Sequence, residues 1–111
     1  MTNNGRSKTA DYIWQNAKVY AQAKANRVYL DEFRKSKKHL LMAEAEQKGC
    51  KTGQERESYA YAHADYLAVL DGLKAAVEVE EELRYKLKSC EVQEEHWRTL
   101  EMKAMAEMKL R

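Results

Sequence analysis

The chain has 111 residues, a net charge of +2, 34% charged and 44% hydrophobic residues, four glycines and no proline. That length suits one domain, and that composition is the bias of long helices and coiled coils, which excludes a strand-based fold. The charge is uneven: residues 1–48 carry ten Lys/Arg against five Asp/Glu, and residues 49–111 carry ten against thirteen. Opposite signs on two arms suit antiparallel pairing and argue against a dedicated nucleic-acid surface, which needs a stronger basic excess.

Residues 1–8 (MTNNGRSK) are polar, include Gly5, and read as a disordered tail. Ser7 or Thr9 then caps a helix over about 10–48, with Asp11 complementing its positive end. Val19, Ala23, Leu30, Phe33, Leu40 and Leu41 recur at three- and four-residue steps, with Asn26 and Lys37 interrupting the same stripe. The spacing predicts an amphipathic helix with a partly polar face.

Residues 49–53 (GCKTG) form the only strong punctuation. Gly49 suits a C-terminal cap, because glycine enters the left-handed region without a Cβ penalty. Thr52 and Glu55 have the spacing of a capping box. A connection this short joins antiparallel neighbours.

A second helical arm follows over about 54–110, with a break expected at 63–65, where Asp65 suits a new N-cap. Tyr66, Leu70, Leu73, Val77, Leu83, Leu87, Cys90 and Trp97 define its stripe, and Glu80, Glu94 and Glu101 fall within it. Gly72 lies inside this helix, where it costs about 1 kcal/mol relative to alanine. The fold expected is an all-α antiparallel helical hairpin with a longer C-terminal helix, assembling as an oligomeric coiled coil or bundle.

A simple antiparallel register pairs positions whose numbers sum to about 102, given equal rise on both helices. It brings Lys24 near Glu78 and sets Arg34–Lys38 opposite 64–68, where Asp65 is the only acid. The first helix then ends opposite about residue 92, and 93–111 overhang. Trp97, Leu100, Met105 and Met108 are the assembly or partner residues this implies, since an unpaired apolar face marks an interaction site.

The chemistry of known sites is hard to find. No histidine among His39, His63 and His96 has a carboxylate or histidine placed for a helical metal pair, and no Cys-x-x-Cys occurs. The glycines at 5, 49, 53 and 72 do not form a phosphate loop. Glu78, Glu80, Glu81 and Glu82 point around a helix rather than into one cleft. Cys50 and Cys90 read as free thiols, Cys90 as a small core residue. Neither a metal, a cofactor nor a catalytic residue is expected, and the chain reads as non-enzymatic. No apolar run approaches a membrane span and no signal core follows the start, so a cytoplasmic setting is the expectation. Arg34, Lys35, Lys37 and Lys38 are the candidate nucleic-acid contacts, with Tyr59, Tyr61 and Tyr66 near enough to stack on single-stranded bases. The competing reading packs these tyrosines between helices with their hydroxyls at the rim.

Tyr59–Ala62 (YAYA), the run Leu70–Arg84 (LDGLKAAVEVEEELR) and Trp97–Glu101 (WRTLE) together resemble a group of small helical proteins of tailed phages and prophages. Their genes lie among recombination and replication functions. The resemblance covers about half the chain, implies a host-cytoplasm setting and a DNA-metabolism context, and transfers no catalytic residue. The function this implies is that of an accessory or adaptor acting by protein–protein contact in DNA recombination or replication, with a phage or host DNA-metabolism protein as partner. Two alternatives are an inhibitor of a host defence or DNA-processing enzyme, and a weak single-stranded nucleic-acid binder.

Overall fold

A computed structural model describes residues 2–110, with side chains from residue 8 onward. The chain is all-α: α1 spans Thr2–Gln47, α2 Gly53–Ala62 and α3 Ala64–Leu110, and the two long helices run antiparallel. α1 begins well ahead of the expected start. Residues 2–8, read above as a disordered tail, continue the helix, and Met1 lies outside the described residues. The physical reason is propagation: once a turn exists, each added residue gains one hydrogen bond, which offsets the low helix propensity of Thr2, Asn3, Asn4 and Gly5. Thr9 is therefore not a cap. It is buried inside α1 and its Oγ1 donates to Gln93 Oε1 at 3.4 Å.

The α1 C-terminus closes in a Schellman arrangement. Gly49 has φ +100, the Cys50 N–H reaches Ala45 O at 3.0 Å, and the Gly49 N–H reaches Glu46 O at 3.1 Å. Thr52 caps α2, its Oγ1 accepting from the Glu55 N–H at 3.1 Å. The Glu55 carboxylate answers by accepting from the Lys51 N–H at 3.0 Å, one residue ahead of the usual capping-box position. Arg56 Nη1 adds weak bonds to the carbonyls of Cys50 and Lys51.

The helical run breaks at His63, whose backbone is extended (ψ 138). The cap there is not the expected Asp65. His63 Nδ1 accepts from the Asp65 N–H at 3.0 Å, and Asp65 sits in the first turn of α3. An imidazole nitrogen two residues ahead meets the same orphan N–H that a Ser or Asp oxygen ordinarily takes.

Two compact units share these helices: residues 1–21 with 81–111, and residues 22–80. In the second, Leu41, Ala60 and Tyr66 form the buried cluster, with Met42 packed against it. Tyr66 meets Tyr61 edge-to-face, with ring centroids 5.3 Å apart. Also in this unit, Arg27 reaches Glu80 with two bonds, Nε–Oε2 at 2.7 Å and Nη2–Oε1 at 3.1 Å. Glu80 is buried. In the first unit, Ile13 and Tyr20 are half-buried on α1, and Leu83, Leu87, Cys90 and Trp97 are half-buried on α3.

Candidate interaction surfaces

The least exposed positions of α1 step regularly by three and four: Thr9, Ile13, Asn16, Tyr20, Ala23, Arg27, Leu30, Arg34, Lys37, Leu41 and Ala45. On α3 the series is Tyr66, Val69, Leu73, Ala76, Glu80, Leu83, Leu87, Cys90, Glu94 and Trp97. Both keep the seven-residue repeat of a coiled-coil seam, α1 as far as Leu41. The seam is rich in polar residues, and only Leu41, Ala45, Ala60, Tyr66 and Ala76 are buried hydrophobics among the described residues.

The apolar stripe read from the sequence of α1 divides into two. Ala23, Leu30 and Leu41, with Lys37, belong to the seam. Val19, Asn26, Phe33 and Leu40, themselves one heptad repeat, lie outside it and are exposed. Tyr29 joins Phe33 there, the rings stacked with centroids 6.1 Å apart and planes 11° from parallel. The same division holds on α3, where Leu70 and Val77 sit at the exposed edge while Leu73 and Ala76 turn inward.

The residues singled out for assembly occupy two different environments. Trp97 is half-buried at the end of the α3 seam series. Leu100, Met105 and Met108 are 47%, 58% and 75% exposed and sit in the last turns of α3 with exposed Met102 and Leu110. With Thr9 beside Gln93 and α1 starting at Thr2, the C-terminal overhang is shorter than a helix start near residue 10 implies. The first unit also holds an open groove of about 550 Å³ lined by Ile13, Ala17, Tyr20, Arg84, Leu87, Lys88 and Glu91.

The basic cluster is not a bare cationic face. Arg34 pairs with Asp31 at 3.1 Å, Lys35 with Glu32 at 3.3 Å, Lys37 with Asp65 at 3.6 Å, and Lys38 with Glu57 at 3.5 Å. Asp65 is thus not the only acid that meets it, because i,i+3 partners on α1 itself and Glu57 on α2 share the work. Tyr66 and then Asp31 raise the Arg34 pKa above its ordinary value, and Tyr61 and then Glu57 raise that of Lys38. The Lys38 ammonium lies 4.9 Å from the centre of the Tyr61 ring. At the far end of α1, Lys48 sits over Tyr59, which together with Glu44 raises its pKa as well. Tyr66 is buried, and Tyr61, though half open to solvent, is engaged on one edge by Tyr66. The tyrosines thus pack as helix-contact residues with cations against them, and Tyr66 has no free face on which a base can stack.

No group of three His, Cys, Asp or Glu side chains converges for a metal among the described residues, and no described helix is long and apolar enough to cross a membrane. The nearest approach to a polar constellation is His63, with Glu44 at 3.7 Å and Asp65 at 3.9 Å, and it serves the α2–α3 junction. Cys50 and Cys90 are free thiols. No family model matches the chain, and no curated protein or solved structure matches it.

Proposed function

We propose that this chain is a non-enzymatic adaptor that works by helix–helix contact, self-assembling and engaging a protein of DNA recombination or replication in the host cytoplasm. The observation that carries the reading is the number of large hydrophobic side chains left exposed among the described residues. Trp14, Tyr29, Leu40, Met105 and Met108 are among them. The DNA-metabolism context rests on the phage-like YAYA, LDGLKAAVEVEEELR and WRTLE segments alone. The ion pairing of Arg34, Lys35, Lys37 and Lys38 weighs against direct nucleic-acid binding as the main activity.

The test is affinity capture from phage-infected host extract with the wild-type chain and with Trp97→Ala/Met105→Glu, followed by light scattering of the captured material. Capture of a recombination or replication protein by the wild type, reduced in the double variant, supports the reading. Capture of a host nuclease or defence enzyme instead supports the inhibitor alternative. Capture of neither, with a monomeric wild type, refutes the adaptor reading.

A further inference from the structure

The exposed stripe of α1 within residues 22–80 repeats like a seam, but no helix among the described residues lies on it. Gln22, Asn26, Tyr29, Phe33, Ser36 and Leu40 step by four, three, four, three and four, and each is exposed. The less exposed series Arg27, Leu30, Arg34, Lys37 and Leu41, of which Leu41 is buried and the others half-buried, runs alongside at three- and four-residue steps. At about 100° per residue the two stripes lie about a quarter to a third of a turn apart on one helix. A helix with two heptad stripes is a helix with two helical neighbours. α3 supplies the first.

We propose that the second neighbour is α1 of another copy of this chain, packed antiparallel about a two-fold axis near Asp31. The proposal rests on the self-assembly reading above and specifies its surface. The stripe is self-complementary in that orientation. Reversed about residue 31, Asn26 faces Ser36 of the other copy, Tyr29 faces Phe33, and Gln22 faces Leu40. The hydrogen-bonding pair therefore meets across the axis, and the two stacked Tyr29–Phe33 pairs form one four-ring cluster at the centre. A two-fold interface requires this matching of a patch with itself. Buried aromatics at the centre of a contact are where binding energy concentrates. An interface of standard size takes about 800 Å² from each copy, and Tyr29, Phe33 and Leu40 are 65%, 37% and 64% exposed on this stripe. Charge does not oppose it, because Glu32, the acid nearest the axis on the flank, is already paired with Lys35 at 3.3 Å.

The full-length chain is compared with Phe33→Glu by light scattering and sedimentation, with far-UV circular dichroism as the control for folding. Phe33 lies outside the seam, so helicity holds in the variant. The dimer dissociation constant rises by at least about 30-fold, the loss of one central anchor. Orientation is read from spin labels on Asn26→Cys and, separately, Gln22→Cys, in a Cys50→Ala/Cys90→Ala background. Antiparallel packing about residue 31 separates the two Asn26 labels by about 15 Å along the axis and the two Gln22 labels by about 27 Å. A parallel pair gives equal distances at both sites and overturns the proposal. A wild-type dimer that Phe33→Glu leaves intact also overturns it while sparing the self-assembly reading. A monomeric wild type removes both.

Discussion

Replacing Arg27 by methionine removes the guanidinium from the buried Glu80 carboxylate while keeping most of the side-chain volume. The pair is bidentate, at 2.7 and 3.1 Å, and asymmetric in exposure: the Glu80 side chain is 8% exposed and that of Arg27 31%. Breaking a fully buried pair costs about 3–5 kcal/mol, and the open side of Arg27 reduces this to about 2–3 kcal/mol. The reverse change, Glu80→Leu, costs less, about 1 kcal/mol, because the long arginine stem lets the cation turn to water. The double variant Arg27→Met/Glu80→Leu returns close to wild type, since an apolar pair of similar volume replaces the ions. Urea unfolding followed by circular dichroism, at one fixed protein concentration, gives all four values. A pH dependence accompanies the asymmetry. Without the cation, burial raises the Glu80 pKa in Arg27→Met above the unfolded carboxylate value near 4.3. The penalty is then full above that raised value and disappears below about 4.3, so the gap to wild type closes as pH falls from 7 to 4. Equal costs for the two single variants, or a gap that widens on acidification, refutes the reasoning.

The paired basic cluster predicts a weak and shallow response to single-stranded DNA. A fluorescence titration at several salt concentrations gives a log–log slope nearer zero than the roughly −3 that four freed phosphate contacts produce on a single strand. Thr52→Ala removes the oxygen that accepts from the Glu55 N–H at 3.1 Å and lowers stability by about 1 kcal/mol, measured by urea unfolding. A change below about 0.3 kcal/mol means the Glu55–Lys51 bond alone holds the turn.

What the sequence made legible follows from how local each signal is. The turn was readable because Gly49 and Thr52 act through their own backbone and the residue three positions on. The all-α class was readable from composition and period. The assignment of α1 faces was not, because two heptad stripes, one through Ala23 and Leu30 and one through Asn26 and Phe33, sum to a single broad apolar band. Period alone cannot say which stripe a neighbour covers. The polar members of the seam hid it further: Arg27 carries no apolar signal and Glu80 reads only as an interruption of the α3 stripe until each is seen to be the other's partner. His63 was passed over as a cap because its acceptor is a ring nitrogen rather than the oxygen that capping rules look for. The same limit applies to Arg34–Lys38, whose partners at Asp31 and Glu32 are visible in the i,i+3 spacing, while Glu57 becomes visible only once the register is known.

A seam this polar has a consequence for how folding and assembly are linked. The five buried hydrophobics among the described residues, three of them alanines, supply only part of the apolar burial that a chain of 111 residues needs to offset its conformational entropy. The remaining apolar surface is on the outside, at Tyr29, Phe33, Leu40 and the methionines of α3, and its burial comes only with a partner. Assembly therefore adds to the stability that the seam gives the single chain, and mass action makes that share depend on concentration. For a two-chain unfolding unit with an enthalpy of about 0.7 kcal/mol per residue, each tenfold dilution lowers Tm by about 3 °C. Thermal melts of the wild type over a hundredfold concentration range should thus span about 6–7 °C, and Phe33→Glu should melt lower at every concentration with a flattened dependence. A wild-type Tm that stays constant across that range means the polar seam is sufficient by itself, and the exposed stripes then contribute nothing to the stability of the fold.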